Sequence, residues 1–260
     1  MKDPVILLLV FLFGISFGSF LNVLIYRLPA KKSLIRPPSK CPRCESRIKF
    51  YDNIPILSFI VLGGKCRNCK QRISFRYPLV ETLAGLLSVA AIYNFGFSVE
   101  GLEVVYLSLL FLAIFFIDLD HTIIPDIFTL SGIVIGLAVS FIPGAIIGWK
   151  QSLIGIAVGG GSFFLVGVVG EFIFKKEALG FGDVKYAAMV GAFLGWKNLM
   201  LMLLMASFLG SVIGLALIYF KKKKGQPTYI PFGPFLTIGA WVSIYFGDAL
   251  IRAYLSLVGL

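Results

Sequence analysis

Eight times along this chain, apolar residues run for a length comparable to a bilayer crossing, and charge, glycine or proline closes each run. The runs are Val5 to Ile25, about Pro78 to Tyr93, about Leu102 to Ile117, Ile127 to Pro143 and Gly144, Ser152 to Phe174, Tyr186 to Trp196, Leu199 to Phe220, and Phe235 to about Leu255. A hydrocarbon core needs about 20 helical residues per crossing. The pattern therefore predicts an all-α polytopic membrane protein with about eight transmembrane helices. Composition agrees, because 58% of residues are hydrophobic and only 14% charged, against about 25% charged in soluble domains. The first run has no basic segment before it and no small-residue cleavage site, and further runs follow. It reads as a retained helix, not a signal peptide.

Residues 26–77 interrupt the apolar pattern with a polar, basic stretch long enough to be a small domain. The expected organisation is a first transmembrane helix (1–25), an insert (26–77) and a transmembrane core (78–260). The net charge of +11 would suit nucleic acid, but its distribution argues otherwise. Thirteen of the 24 Lys and Arg residues lie between Arg27 and Arg76, and four more form Lys221 to Lys224. Basic clusters beside apolar spans mark cytoplasmic segments, and anionic membrane lipids are their expected partner. With the insert in the cytoplasm and eight alternating crossings, that side receives 20 basic residues and the other side four: Lys2, Lys150, Lys197 and Arg252. Both termini then lie outside the cytoplasm.

All four cysteines fall in the insert, as Cys41-Pro-Arg-Cys44 and Cys66-Arg-Asn-Cys69. Each C-x-x-C turn presents two thiolates, and two such knuckles complete a tetrahedral S₄ site suited to zinc. The alternatives are disulfides or four unligated thiols. A reducing cytoplasm disfavours disulfides. Four protein ligands leave no open position, so a zinc ion held there is structural. It supplies folding free energy to a small, core-poor insert.

Ionisable groups at membrane depth are expensive and usually functional. Two sets occur at predicted helix ends. One is Phe116-Ile-Asp118-Leu-Asp120-His-Thr-Ile-Ile-Pro125-Asp126; the other is Leu179-Gly180-Phe-Gly182-Asp183-Val-Lys185. The topology carries Asp118 and Asp183 to the same face. Two carboxylates sharing a proton can activate water and polarise a scissile carbonyl. Gly180 and Gly182 clear space beside Asp183, and Pro125 shapes the loop holding Asp120 and Asp126. A plainer reading makes each aspartate a helix cap, with even odds for Asp120 and Asp126. A different reading makes the pair an ion relay in a transporter. His121 reads as an interfacial residue. The glycines from Gly155 to Gly161 lie within an apolar run and read as close helix packing, not a nucleotide loop.

Taken together, these residues resemble the bifunctional type IV prepilin leader peptidase and N-methyltransferase family of bacteria, aspartyl membrane proteases of the GxGD type. The resemblance extends over nearly the whole chain. It rests on Phe17-Gly-Ser-Phe-Leu-Asn-Val-Leu-Ile-Tyr-Arg27-Leu-Pro29, the paired C-x-x-C motifs with Asp52-Asn-Ile-Pro-Ile-Leu-Ser58 between them, and Arg76-Tyr-Pro-Leu-Val-Glu81. Both aspartate motifs and Gly233-Pro-Phe-Leu236 complete it. It implies an enzyme of the bacterial inner membrane that cuts the basic leader from type IV prepilins and type II secretion pseudopilins at the cytoplasmic face. Cleavage in such enzymes usually falls between Gly and a hydrophobic residue, commonly Phe. The new N-terminal amine is then methylated from S-adenosylmethionine. It assigns catalysis to Asp118 and Asp183. No G-x-G dinucleotide element of the Rossmann type is present, and the segment around Arg76, Glu81 and Gly85 is the expected methyl-donor site. The rivals are the aspartate-dependent ion-coupled transporter and a zinc-ribbon membrane scaffold without chemistry. Nothing in the pattern sets the oligomeric state or names the pilin.

Overall fold

In the computed structural model, residues 3–36, 38–175, 179–221 and 231–258 are described. Lys2, Lys176 and Lys222 to Lys224, which belong to the charge count above, lie outside them. The described residues form helices and turns, with no β-strand among them beyond two isolated bridges. The helices are α1 (Pro4–Arg27), α2 (Leu57–Val61), α3 (Arg76–Phe95), α4 (Val99–His121), α5 (Asp126–Val139), α6 (Trp149–Phe174), α7 (Phe181–Lys221) and α8 (Gly233–Val258).

Six of them, α1, α3, α4, α6, α7 and α8, are long and apolar enough to cross a bilayer. The apolar helix α5 has 14 residues, about 21 Å of helix. The sixth and seventh runs expected from sequence form one helical tract, α7, broken at Gly195. There φ is 71° and ψ is 175°, a conformation essentially confined to glycine. The break comes a residue or two before the expected boundary at Trp196, because backbone conformation, not hydropathy, decides it. Counting α5 and both halves of α7, eight apolar helical segments are present, in the order the sequence predicts.

The chain divides into two compact units, Met1–Ala113 and Ile114–Leu260. In the first, α1 packs along α3. Asp3 caps α1 by accepting the Val5 N–H at 2.8 Å, and Pro4 follows at the first helical position. The two helices approach through glycine. A Cβ on Gly14 would lie 2.8 Å from the Ala84 carbonyl oxygen, and one on Gly18 would lie 2.7 Å from the Glu81 Cα. In the second unit α7 packs on α5, α6 and α8. Gly155 of α6 meets Gly191 of α7, and Gly159 meets Ala187, backbone against backbone. The glycine run is thus a helix-packing device, as its apolar setting predicts.

Candidate active site and metal centre

Asp118 lies in the last turn of α4 and is 5% exposed. That turn closes with Thr122 in the left-handed region (φ 54°), its N–H donating to the Asp118 carbonyl at 2.8 Å. Asp183 lies in the first turn of α7 and is half-buried. Its backbone N–H donates to the Gly180 carbonyl at 3.0 Å, and the Gly180 N–H points at its carboxylate. The carboxylates of Asp118 and Asp183 are close enough to interact Coulombically.

A third element reaches the pair. Gly233, the first residue of α8, donates its N–H to Asp118 Oδ2 at 2.9 Å. A Cβ on Gly233 would lie 2.5 Å from that oxygen, so only glycine allows the approach. The hydrogen bond fixes the position of the carboxylate against the start of α8. Behind it, Thr237 donates to the Gly233 carbonyl at 2.7 Å. A Cβ on Gly180 would lie 3.4 Å from Asp183 Oδ2, and one on Gly182 would lie 3.2 Å from Ile124. Asp126, exposed at the start of α5, pairs with Lys185 Nζ at 2.7 Å and so ties α5 to the first turn of α7. Asp120 is exposed.

The cysteine motifs fold into two copies of one knuckle. Lys40 and Arg47 bridge antiparallel around the first, Lys65 and Arg72 around the second. Cys41 N–H donates to Ser46 O at 3.0 Å, and Cys66 N–H to Gln71 O at 2.8 Å. Glu45 and Lys70 both turn through the left-handed region, at φ 54° and 58°. No cysteine is in a disulfide. The four sulfurs lie within 4.8 Å of one another, with Cys41 and Cys69 Sγ 3.9 Å apart. Tetrahedral zinc–thiolate bonds of about 2.3 Å put sulfurs about 3.8 Å apart, so the donor set fits the metal. The Ser46 hydroxyl and backbone pull Cys44 down to about 6. Backbone hydrogen bonds at Cys69 and Asn68 lower Cys66. Cys69 has a Gln71 backbone hydrogen bond that lowers it, but desolvation and the other three sulfurs push it up to about 11. Crowded thiolates of this kind are relieved by a cation.

Two family profiles cover most of the chain: the bacterial peptidase A24 N-terminal domain over residues 12–95 and the type IV leader peptidase family over residues 105–215. A prepilin leader peptidase/N-methyltransferase of Myxococcus xanthus is 42% identical over 225 residues, 86% of this chain and 67% of that protein. Proteins of the same name from Pseudomonas putida and Pseudomonas aeruginosa are 36% and 35% identical, each over 95% of this chain and 92% and 93% of their own length. The chain belongs to the type IV leader peptidase family. No solved structure matches it. The membership and the six long apolar helices make it a multi-pass membrane protein, and nothing in these likenesses supports the transporter reading.

In this family member the expected methyl-donor segment opens α3. Arg76 is its first residue. Gly85 faces α1, where a Cβ would lie 2.6 Å from Phe11 and 2.7 Å from Ile15, so its part is to let the helices close. Glu81 is 7% exposed, accepts the Ile56 N–H at 2.8 Å and lies beside Ser19. Sequence reasoning missed the contacts of Gly233 and Ile56. Both sit in quoted motifs, but only the fold joins Gly233 to Asp118 and Ile56 to Glu81.

Proposed function

We propose that this protein removes the leader peptide from type IV prepilins or pseudopilins and N-methylates the residue it exposes, with Asp118 and Asp183 as the proteolytic pair. The observation that carries the assignment is the meeting of two carboxylates, one buried and held by the Gly233 N–H, within Coulombic reach of each other. The ionised carboxylate draws a proton from water, which attacks the scissile carbonyl. The protonated one polarises that carbonyl and then serves the departing amine. Asp126 acts indirectly, its ion pair with Lys185 steadying the turn that carries Asp183. Asp120, exposed in the last turn of α4 and not in the loop expected from sequence, has a supporting part.

The insert, residues 26–77, is a zinc-binding domain between the first helix and the core of residues 78–260. Cys41, Cys44, Cys66 and Cys69 hold the ion, which supplies structure only, since all four positions are taken by protein. The methyl source is S-adenosylmethionine, used at the start of α3 in the segment from Arg76 to Gly85. The charge split favours a cytoplasmic active face in the bacterial inner membrane, with both termini on the other side. Lipid is the surrounding partner: Leu8, Phe13, Phe164, Leu165, Leu204 and Phe208 are exposed apolar side chains on helices.

Purified enzyme incubated with a prepilin and S-adenosylmethionine, followed by intact-mass analysis, tests both activities. Asp118→Asn and Asp183→Asn should each abolish cleavage in a folded protein, and the double variant should be little worse than either. Full cleavage by folded Asp183→Asn would sink the assignment.

A further inference from the structure

Three buried carboxylates occur among the described residues: Glu81, Glu103 and Asp118. Asp118 belongs to the proteolytic pair, and Glu103 lies in the first half of α4. Glu81 differs in what has been built around it. Ser19 of α1 lies beside it. Its donor is the Ile56 N–H, 2.8 Å from Oε2. Ile56 has φ 60° and ψ −52°, and the Leu57 N–H closes onto the Pro55 carbonyl across it. That is a γ-turn of the rare, strained hand, and it is centred on a β-branched residue, for which positive φ is an outlier. Such strain persists where the surroundings enforce it, and it clusters at working sites. Nearby, the buried Asn22 amide donates to the Tyr77 carbonyl at 3.1 Å. The ends of α1, α3 and the insert thus converge on one carboxylate.

A carboxylate offers about four acceptor sites, and the Ile56 N–H uses one of them. What remains suits a cation that carries N–H groups. Two cations take part in N-methylation: the substrate's N-terminal ammonium and the sulfonium of the methyl donor. A sulfonium has no hydrogen to donate, whereas an ammonium has three. The remaining lone pairs of Glu81 therefore favour the amine.

We propose that Glu81 receives the newly exposed N-terminal amine of the cleaved substrate and takes its proton before methylation, an inference that rests on the methyltransferase reading above. The ammonium gives one proton to the Glu81 carboxylate. The freed nitrogen lone pair attacks the methyl carbon of the sulfonium, and the carbon–sulfur bond breaks with its electron pair passing to sulfur. The products are S-adenosylhomocysteine and a protonated N-methylamine, and Glu81 returns its proton to water. Ile56 and Ser19 are positioning residues, holding the carboxylate in one rotamer.

The test uses the full-length enzyme in lipid, a prepilin and S-adenosylmethionine. Glu81→Gln keeps the volume and the Ile56 hydrogen bond but accepts no proton. It should cleave within about threefold of the unsubstituted enzyme and lose at least about 100-fold in methylation. The unsubstituted enzyme should also bind cleaved pilin with a free amine more tightly than the N-acetylated form, and Glu81→Gln should not discriminate. Undiminished methylation by Glu81→Gln, or retained discrimination, overturns the proposal. If Glu81→Gln also loses cleavage, Ser19→Ala decides: a several-fold drop in methylation at constant cleavage supports it, and parallel loss of both or of neither overturns it. An unsubstituted enzyme that cleaves but never methylates defeats the methyltransferase reading instead, and the amine-discrimination arm then judges Glu81 alone.

Discussion

Replacing Gly233 by alanine isolates the contact between the start of α8 and Asp118. The new Cβ would stand 2.5 Å from Asp118 Oδ2, 2.9 Å from its Cγ and 3.2 Å from its Cβ. Ordinary contact begins about 1 Å further out than the closest of these, so the carboxylate or the helix start must move by roughly that amount. Gly233 has no left-handed backbone, so alanine fits its conformation, and within a helix alanine is favoured over glycine by up to about 1 kcal/mol. Stability should therefore be little changed, and the loss should fall on catalysis. A misplacement of about 1 Å in a catalytic group costs on the order of 100-fold, or about 2.7 kcal/mol of transition-state stabilisation. The assay is steady-state prepilin cleavage in lipid, with thermal unfolding followed on the same sample. The expected result is kcat down about 100-fold, KM within about threefold and Tm unchanged. Activity within about threefold of the unsubstituted enzyme would show that Asp118 tolerates the displacement, and would refute the contact's catalytic importance.

Serine at Cys41, Cys44, Cys66 or Cys69 should lower bound zinc below one equivalent and open residues 26–77 to protease, read by metal analysis and limited proteolysis. Well under one equivalent of metal in the unsubstituted protein would defeat the assignment. On the substrate side, the basic cytoplasmic face repels a basic leader at long range, so leader Lys→Gln changes should alter kcat/KM only modestly. Charges in the first turns of the substrate's apolar segment should impair it severely, and the opposite ranking would refute binding through the apolar helix.

What the sequence discloses here is what local chemistry encodes. Apolar run length foretells the helices, because a crossing needs a fixed number of residues wherever it occurs. Cys41-x-x-Cys44 and Cys66-x-x-Cys69 foretell the knuckles, because each turn is closed by its own neighbours, Ser46 and Gln71. The break in α7 is misplaced by the pattern, since Gly195 is one glycine among 28 and only its backbone angles set it apart. Contacts distant in sequence are the hardest to read. Gly233 serves Asp118 across 115 positions, and the Ile56 turn serves Glu81 from inside the insert. Hydropathy carries no record of either, although the aspartates announce themselves as charges beside apolar runs.

The zinc knuckles connect to Glu81 by a short physical path. Arg67 lies within the second knuckle, between Cys66 and Cys69. Its guanidinium grips Asp52 through two nitrogens, Nη2 at 2.6 Å and Nε at 2.9 Å, and holds that carboxyl below its usual range. Asp52 belongs to the short 3-10 turn Phe50–Asn53, which leads directly into the strained turn at Ile56. Ser58 fastens the same segment by donating to the Tyr51 carbonyl at 3.0 Å. Removing the metal frees the second knuckle and with it Arg67, and the strained Ile56 turn loses part of what enforces it. A left-handed β-branched residue then relaxes readily, since its strain is worth about 1–3 kcal/mol, and the donor to Glu81 moves away. Among the described residues, the hydrogen bonds that fasten Asp118 and Asp183 run to Gly233, Thr122 and Gly180. Graded chelation of the intact enzyme should therefore lower methylation before it lowers cleavage, with both read from one mass spectrum at each chelator concentration. Parallel loss of the two activities would refute this path and make the zinc a support for the whole enzyme.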